Sequence, residues 1–210
     1  MRTTLDLPDD LMRHLKSRAA LEGRSLRDLV AYAKKNPGRL NYGSGGNGSA
    51  GHLAGEMFKN QAGIFAVHIP YNGGNPAQLA LLSGQVDFNF DNLATAAPNI
   101  KAGKLKAFAV TSPKRLSNLP DVPTLSESGL TGYDSTGWFG LVAPTGTPPQ
   151  IIQRLHAEFT AALNDESIKS QMRQNGMEPI ATSIEGFDSY IKSETQKWAK
   201  VIKQANIKLN

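Results

Sequence analysis

The sequence predicts an α/β fold in which helices cover a parallel sheet. Between residues 38 and 111, short apolar runs typical of strands alternate with short stretches of helical periodicity. A glycine-rich turn at residues 43–49 separates the first of these strands from its helix. With 210 residues, of which 40% are apolar and 20% charged, the chain can bury a substantial core.

Residues 1–36 predict a strand, a helix, a turn and a second helix. Apolar and polar residues alternate over residues 2–7 until Pro8, which is strand periodicity. Asp9 or Asp10 can cap a helix that Gly23 ends, and Ser25 begins the next. Residues 1–39 hold nine Lys and Arg against five acidic residues, so most of the net charge of +5 lies here.

The α/β region predicts strands and helices in strict alternation. The expected strands are residues 40–42, 65–70, 86–90 and 105–111, and the expected helices are residues 50–60, 76–82 and 94–102. Residues 112–132 are rich in Pro, Ser and Gly and predict a surface connector with one short helix near residues 124–128.

The remaining part of the chain predicts one strand and two long helices. Residues 136–143 are apolar and aromatic enough for a strand, and Pro148-Pro149 opens a helix. Ile151, Leu155 and Phe159 share a face of that helix, and the last helix, residues 187–201, carries a similar face. Both faces need a partner to pack on.

The composition and spacing exclude several classes of function. The absence of cysteine excludes disulfides and thiolate chemistry. No run approaches the roughly 18 apolar residues of a spanning helix, and residues 1–10 lack the apolar core of a signal peptide. The four histidines show neither metal-ligand spacing nor a Ser/His/Asp arrangement. We therefore expect no enzyme, no metal and no cofactor.

The glycine-rich turn suits a small anion. Such a turn leaves backbone N–H groups free where a helix begins and where its dipole is positive, so a carboxylate or phosphate fits. Its Gly43-x-Gly45-x-x-Gly48 spacing also matches a dinucleotide pattern, but the next strand ends without the expected acidic residue. The missing lysine after Gly48 excludes a P-loop. A turn that only reverses the chain remains an alternative.

Two further turns follow the next two strands. One is Tyr71-Asn-Gly-Gly74 and the other is Asp91-Asn92. Because parallel strands end at one edge of a sheet, where ligands bind in α/β folds, we expect the three turns to converge. Beside an anion, Asp91 is repulsive unless it accepts hydrogen bonds from ligand hydroxyl groups or orders backbone donors.

Residues 25–210 resemble the solute-binding receptors of tripartite tricarboxylate transporters, the Bug or TctC family. The matching motifs are Leu40-Asn-Tyr-Gly-Ser44, His52-Leu-Ala-Gly-Glu56, Pro70-Tyr-Asn-Gly-Gly74, Leu81-Leu-Ser-Gly-Gln-Val-Asp87, Phe90-Asp-Asn92 and Trp138-Phe-Gly-Leu-Val-Ala-Pro144. The resemblance implies a type II periplasmic binding-protein fold that closes on a small carboxylate and delivers it to a membrane permease without catalysis. Residues 37–134 correspond to lobe 2, and residues 135–210 to the hinge strand and C-terminal helices of lobe 1.

Carried over from the family, the ligand contacts fall on the three turns. They are Ser44, Gly45, Asn47, Gly48, Ser49, Tyr71, Gly73, Gly74, Asp91 and Asn92. The signal peptide and first lobe 1 strands of the family have no counterpart here, so we expect weakened binding. The family implies a periplasmic location, whereas the lack of a leader implies the cytoplasm if Met1 is the true start.

Residues 1–26 resemble a ribbon-helix-helix protein of the antitoxin type. In that family two chains pair their strands, and the outward residues, here Arg2, Thr4 and Asp6, enter the DNA major groove. The basic charge of residues 1–39 agrees with DNA binding. Asp6 counts against it, because its carboxylate would face DNA phosphates or bases unfavourably, and so does Pro37, which ends the second helix early. The alternative function is thus a dimeric DNA-binding regulator fused to a receptor fragment. A covering or purely dimerising role for residues 1–36 also stays open.

Overall fold

The structure, a computed structural model, describes residues 25–208. The strands are β1 (Asn41–Ser44), β2 (Val67–Pro70) and β3 (Phe88–Asn89). The helices are α1 (Leu26–Lys35), α2 (Ala50–Ala62), α3 (Gly74–Leu82), α4 (Leu93–Lys101), α5 (Pro149–Asn164), α6 (Glu166–Gln174) and α7 (Ile184–Gln204). The expected strand and first helix of residues 1–24 lie outside the described residues.

The three strands form a parallel sheet in the order β2-β1-β3. Tyr42 of the central strand pairs with His68 on one side and with Phe88 on the other. Helices α2 and α3 follow β1 and β2 and return the chain to the start of the next strand. The predicted alternation of strands and helices is therefore confirmed for residues 40–101.

The core lies where α1, α2 and α7 pack against the sheet. Tyr42, Phe58 and Leu29 are almost completely buried, and Val201 of α7 joins the same cluster. Helix α1 begins with a capping box in which Ser25 and Asp28 bond to each other's backbone N–H groups. This capping box lies within four residues of sequence, which explains why the sequence predicts the start of α1 well.

Two predicted strands are wrong. Of residues 105–111, Val110 alone forms a bridge, to Thr124, and residues 136–143 form no strand within residues 25–208. A strand needs a hydrogen-bonded neighbour, which apolar composition does not reveal. Leu141 and Val142 are 66% and 84% exposed, so no sheet covers this segment in the described chain.

The short helix expected near residues 124–128 is instead a hydrogen-bonded turn. The N–H of Thr124 donates to the Glu127 carboxylate at 2.8 Å, and the N–H of Glu127 donates to the Thr124 hydroxyl at 3.0 Å. This pair is the side-chain exchange of a helix start, but Gly129, with φ +109°, ends the turn at once.

The apolar face of α5 has no covering element in the described chain. Ile151, Leu155 and Phe159 are 50%, 44% and 45% exposed. The sequence places these residues on one face, and the structure leaves that face in contact with solvent. Among residues 25–208, no helix is both long and apolar enough to cross a membrane.

Candidate functional site: the carboxyl edge of the sheet

Helices α2, α3 and α4 all begin at the edge where the strands end. Each starts within a few residues of the strand before it, because the connecting turns are short. A helix start carries unpaired backbone N–H groups and a partial positive charge. The parallel sheet therefore brings three weakly positive helix ends to one edge.

The first two turns touch each other. The N–H of Gly73 donates to the Gly45 carbonyl at 3.2 Å, and the N–H of Tyr71 donates to the Ser44 carbonyl at 2.9 Å. A β-carbon on Gly45 would lie 3.2 Å from the nitrogen of Gly74 and from the carbonyl carbon of Gly73. Glycine at position 45 thus permits the close approach of the two turns.

The starts of α2 and α3 keep backbone donors available. Ser49 caps α2 by accepting the N–H of His52 at 3.3 Å, whereas α3 has no side-chain cap. Within the part of the chain that the structure describes, no hydrogen bond engages the N–H groups of Ala50, Gly51 or Gly74. These donors can bind an anion without first losing a partner.

The start of α4 is different, because a carboxylate already lies there. Asp91 accepts the N–H of Asn92 at 2.8 Å and the hydroxyl of Thr95 at 3.1 Å. Its other oxygen accepts the side-chain amide of Gln78, on α3, at 2.8 Å. Asp91 therefore complements the dipole of α4 and links α4 to α3.

The glycine-rich turn is held from beneath by two histidines. The hydroxyl of Ser44, which is 2% exposed, lies 2.6 Å from Nε2 of His68. The N–H of Gly48 donates to Nδ1 of His52 at 3.0 Å. The two imidazole rings stack with centroids 3.9 Å apart and planes within 6°. Ser44 and Gly48 thus face the interior of the fold.

Both histidines are held neutral at neutral pH. Burial lowers the pKa of His68 to about 4, helped by the neighbouring His52. Burial also lowers the pKa of His52, against the opposing effect of Glu56. Burial and the hydrogen bond to Glu56 raise the pKa of Tyr42 above its ordinary value. The two histidines therefore place no positive charge below the turn at pH 7.

Glu56 closes this buried network. It accepts the hydroxyl of Tyr42 and the ammonium of Lys59, both at 2.6 Å. Its carboxylate lies 3.9 Å from Nε2 of His52. The negative charge of Glu56 below the turn is thus paired with Lys59, so it does not stand as an isolated charge beneath an anion site.

The structure brings every family-derived contact residue to this one edge. Five are exposed, namely Asn47, Gly73, Gly74, Asp91 and Asn92. Gly45, Gly48, Ser49 and Tyr71 are half-buried, and Ser44 is buried. Among residues 25–208, no group of three His, Asp or Glu side chains could hold a metal ion.

The residues that support the turns are not predicted from the sequence. The histidines are expected only to be non-catalytic, and no place under the turn is predicted for them. Asn89, which also has no predicted role, accepts the N–H of Gly43 at 3.0 Å and donates to the Ala77 carbonyl at 2.9 Å. The one available signal was His52, three residues after the cap Ser49, where it reaches back to Gly48.

The profile of the tripartite tricarboxylate transporter family receptors, TctC, matches residues 12–207. The chain belongs to this family. Among curated TctC relatives, it is 35% identical over 188 residues to the "UPF0065 protein in tcbD-tcbE intergenic region" of Pseudomonas sp. strain P51. That match covers 89% of this chain and 56% of the relative. BugT of Bordetella pertussis is 32% identical, and that match covers 88% of this chain and 57% of BugT.

Solved structures agree with the fold. Rpa4515 of R. palustris, determined with adipate, superposes with a TM-score of 0.81 at 36% identity, covering 90% of this chain and 63% of that one. MatC of Rhodopseudomonas palustris, with bound malate, superposes with a TM-score of 0.74 at 28% identity, covering 85% of this chain and 62% of that one. BugD, described as a periplasmic binding protein, superposes with a TM-score of 0.75 at 34% identity, covering 91% of this chain and 64% of that one.

These matches confirm the predicted family and the α/β periplasmic binding-protein-like fold. TctC proteins are receptors and not enzymes, as the sequence also led us to expect. The chain spans between about half and two thirds of the length of these relatives.

A separate, short match covers the antitoxin resemblance. The chain is 63% identical over 30 residues to the antitoxin VapB41 of Mycobacterium tuberculosis, which is 14% of this chain and 32% of that protein. DNA contacts by Arg2, Thr4 and Asp6 stay a prediction, since these residues lie outside the described part of the chain.

Proposed function

We propose that this TctC-family chain supplies one side of a binding site for a small dicarboxylate. The observation that carries the proposal is the convergence of α2 and α3, whose first N–H groups are available beside two touching glycine turns. Two structurally similar family members were determined with adipate and with malate, which are both dicarboxylates. One carboxylate of such a ligand fits between the two helix starts.

The ten predicted contact residues take three roles in this proposal. Gly45, Asn47, Ser49, Gly73 and Gly74 surround the carboxylate through backbone N–H groups and short polar side chains. Ser44 and Gly48 support the turn from its interior side, because the histidines already engage their polar groups. Tyr71, Asp91 and Asn92 border the site. Asp91 repels a carboxylate but can accept a ligand hydroxyl group such as that of malate.

We also propose that two parts of the chain correspond to the lobes of the family. Residues 37–134 form lobe 2, and residues 135–210 form the hinge and C-terminal helices of lobe 1. The opposite side of the ligand belongs to lobe 1 segments that the full-length relatives possess. We infer periplasmic action and delivery to transporter membrane subunits for a complete receptor, and weak binding by this chain alone.

The test uses calorimetry or NMR titration with adipate and malate, with the neutral adipamide as the ligand control. Gly74 begins α3, and a β-carbon there meets no atom within 4 Å, so a side chain fits. In Gly74→Asp a carboxylate occupies the helix start and competes with the ligand. We expect at least about tenfold weaker adipate binding, the equivalent of one charge-assisted hydrogen bond.

Gly74→Asn is the matched control, because it has the same size without the charge. It should bind adipate within about twofold of wild type. Equal binding by wild type and Gly74→Asp would place the carboxylate elsewhere. A folded chain that binds neither dicarboxylate at millimolar concentration would refute the proposed function.

We propose DNA binding by residues 1–36 as a second function, on the basis of the antitoxin match and the nine basic residues among residues 1–39. A gel shift on DNA from its own promoter should weaken with added salt and disappear in Arg2→Ala. The matched control is Arg154→Ala on α5, which also removes one positive charge and should leave the shift intact. No retardation at low salt would exclude this function.

A further inference from the structure

Two imidazole rings from different elements lie stacked directly below the glycine-rich turn. His52 comes from the first turn of α2 and His68 from the middle of β2, and the ring of Tyr42 lies 4.9 Å from that of His68. Each ring also bonds to the turn, His52 through the Gly48 N–H and His68 through the Ser44 hydroxyl. The pair therefore joins the turn to both α2 and the sheet.

The hydrogen bond to Gly48 fixes the protonation state of His52. Because Nδ1 accepts the Gly48 N–H, it carries no proton, and the proton of the neutral ring lies on Nε2, facing Glu56 at 3.9 Å. A further proton on His52 can bind only at Nδ1. That proton would place two N–H donors against each other across 3.0 Å.

The surroundings leave the ring little freedom to escape this conflict. The stack with His68 at 3.9 Å holds the plane of His52, and His52 is 7% exposed. Gly48, in contrast, has a left-handed φ of +73° and lies in a turn with half-exposed neighbours. A protonated His52 therefore displaces the turn more easily than it displaces its own ring.

We propose that His52 is a proton-sensitive positioning residue for the glycine-rich turn. When neutral, it holds Gly48 so that the turn keeps the shape that places the donors of α2 and α3 together. When protonated, it releases Gly48, the turn opens, and anion affinity falls. The effect on affinity rests on the proposed dicarboxylate site, whereas the effect on Gly48 does not.

The positive charge of a protonated His52 would by itself change the anion affinity in the opposite direction. The groups that face the pair are Glu56 and Lys59 from α2 and Tyr42 from β1. Lys59 already neutralises Glu56 at 2.6 Å, so an added proton would leave a net positive charge below the turn. If the turn stayed rigid, that charge would attract an anion and raise affinity at low pH. The two mechanisms therefore predict opposite changes.

The test follows the folded chain by NMR from about pH 7.5 to about pH 4.5, using butane-1,4-disulfonate as the ligand. This sulfonate analogue of adipate stays ionised over the whole range, whereas carboxylates begin to take up protons near pH 4 to 5. We expect the Gly48 amide signal to shift with the same midpoint as the His52 imidazole signals. Disulfonate affinity should fall about tenfold through that midpoint, as expected for the loss of one positioning hydrogen bond.

His52→Asn separates positioning from charge. Its amide oxygen can accept the Gly48 N–H from nearly the place of Nδ1, but the side chain does not titrate. In this variant the Gly48 signal and the disulfonate affinity should become nearly independent of pH. If His52→Asn does not fold, the comparison of the Gly48 and His52 midpoints in the wild-type chain still tests the proposal. His156→Gln, on α5 away from the turn, should behave as wild type.

Three results would overturn the proposal. One is a Gly48 amide that does not respond when His52 titrates. The second is an affinity that rises at low pH, and the third is an unchanged pH profile in His52→Asn. If neither adipate nor the disulfonate binds at any pH, the proposed site fails, and the Gly48 signal still decides whether His52 controls the turn.

Discussion

Asn89 should contribute more to stability than an ordinary half-buried asparagine. Its side chain accepts the N–H of Gly43 at 3.0 Å and donates to the Ala77 carbonyl at 2.9 Å, which joins β3 to β1 and to α3. Asn89→Ala removes the two hydrogen bonds that join β3 to β1 and to α3. At about 1 kcal/mol per bond, we expect a loss of about 2 kcal/mol.

The assay is urea unfolding followed by circular dichroism, with an unchanged dependence on denaturant concentration. Asn99→Ala is the matched control, because Asn99 donates one bond, to the Gln78 side chain at 3.1 Å. That variant should lose about 0.5–1 kcal/mol. If the two variants lose the same free energy, or if Asn89→Ala stays within about 0.5 kcal/mol of wild type, Asn89 does not join the three elements as we describe.

Three other predictions test the pH response, the buried acid and the exposed apolar segment. Because the pKa of His68 is lowered to about 4, the unfolded chain binds the proton first, so stability is full above about pH 6.5 and falls toward pH 4. With allowance for solvent at the ring, the part of this loss that is due to His68 is about 1–2 kcal/mol by urea unfolding. His68→Gln should remove that part and leave the part due to the lowered pKa of His52. Glu194 is 6% exposed and accepts the indole N–H of Trp138 and that of Trp198. Glu194→Ala should therefore lower the free energy of unfolding by about 2–4 kcal/mol and change the tryptophan fluorescence, and Glu194→Gln should lower it clearly less. Phe139 is 88% exposed in the apolar segment 136–143, so light scattering should show self-association that depends on concentration. Phe139→Ser should reduce this self-association, whereas Leu79→Ser, at an exposed leucine of α3 outside the segment, should not.

The local parts of the fold could be predicted because their signals are local. The sequence predicts helices that begin at Ser25 and at residue 50, and the structure confirms both starts, which Ser25 and Ser49 cap. The strand expected at residues 136–143 failed for the opposite reason. Its apolar residues satisfy strand propensity, but pairing depends on a neighbour elsewhere in the chain, and within residues 25–208 no strand lies beside it.

For the site, too, the sequence pattern predicts some features, whereas others depend on the three-dimensional packing. The convergence of the turns that contain Ser49, Gly73 and Asp91 follows from strand direction alone, so the sequence predicts which residues share an edge. Which side of the turn each polar group faces depends on the β2-β1 register, which sets His68 beside Tyr42 and below Ser44. A shift of that register by one residue would turn His68 to the other face of the sheet and leave the Ser44 hydroxyl without its imidazole partner. The three-dimensional pairing, and not the motif, therefore determines that the ligand meets backbone donors while the histidines remain below the turn.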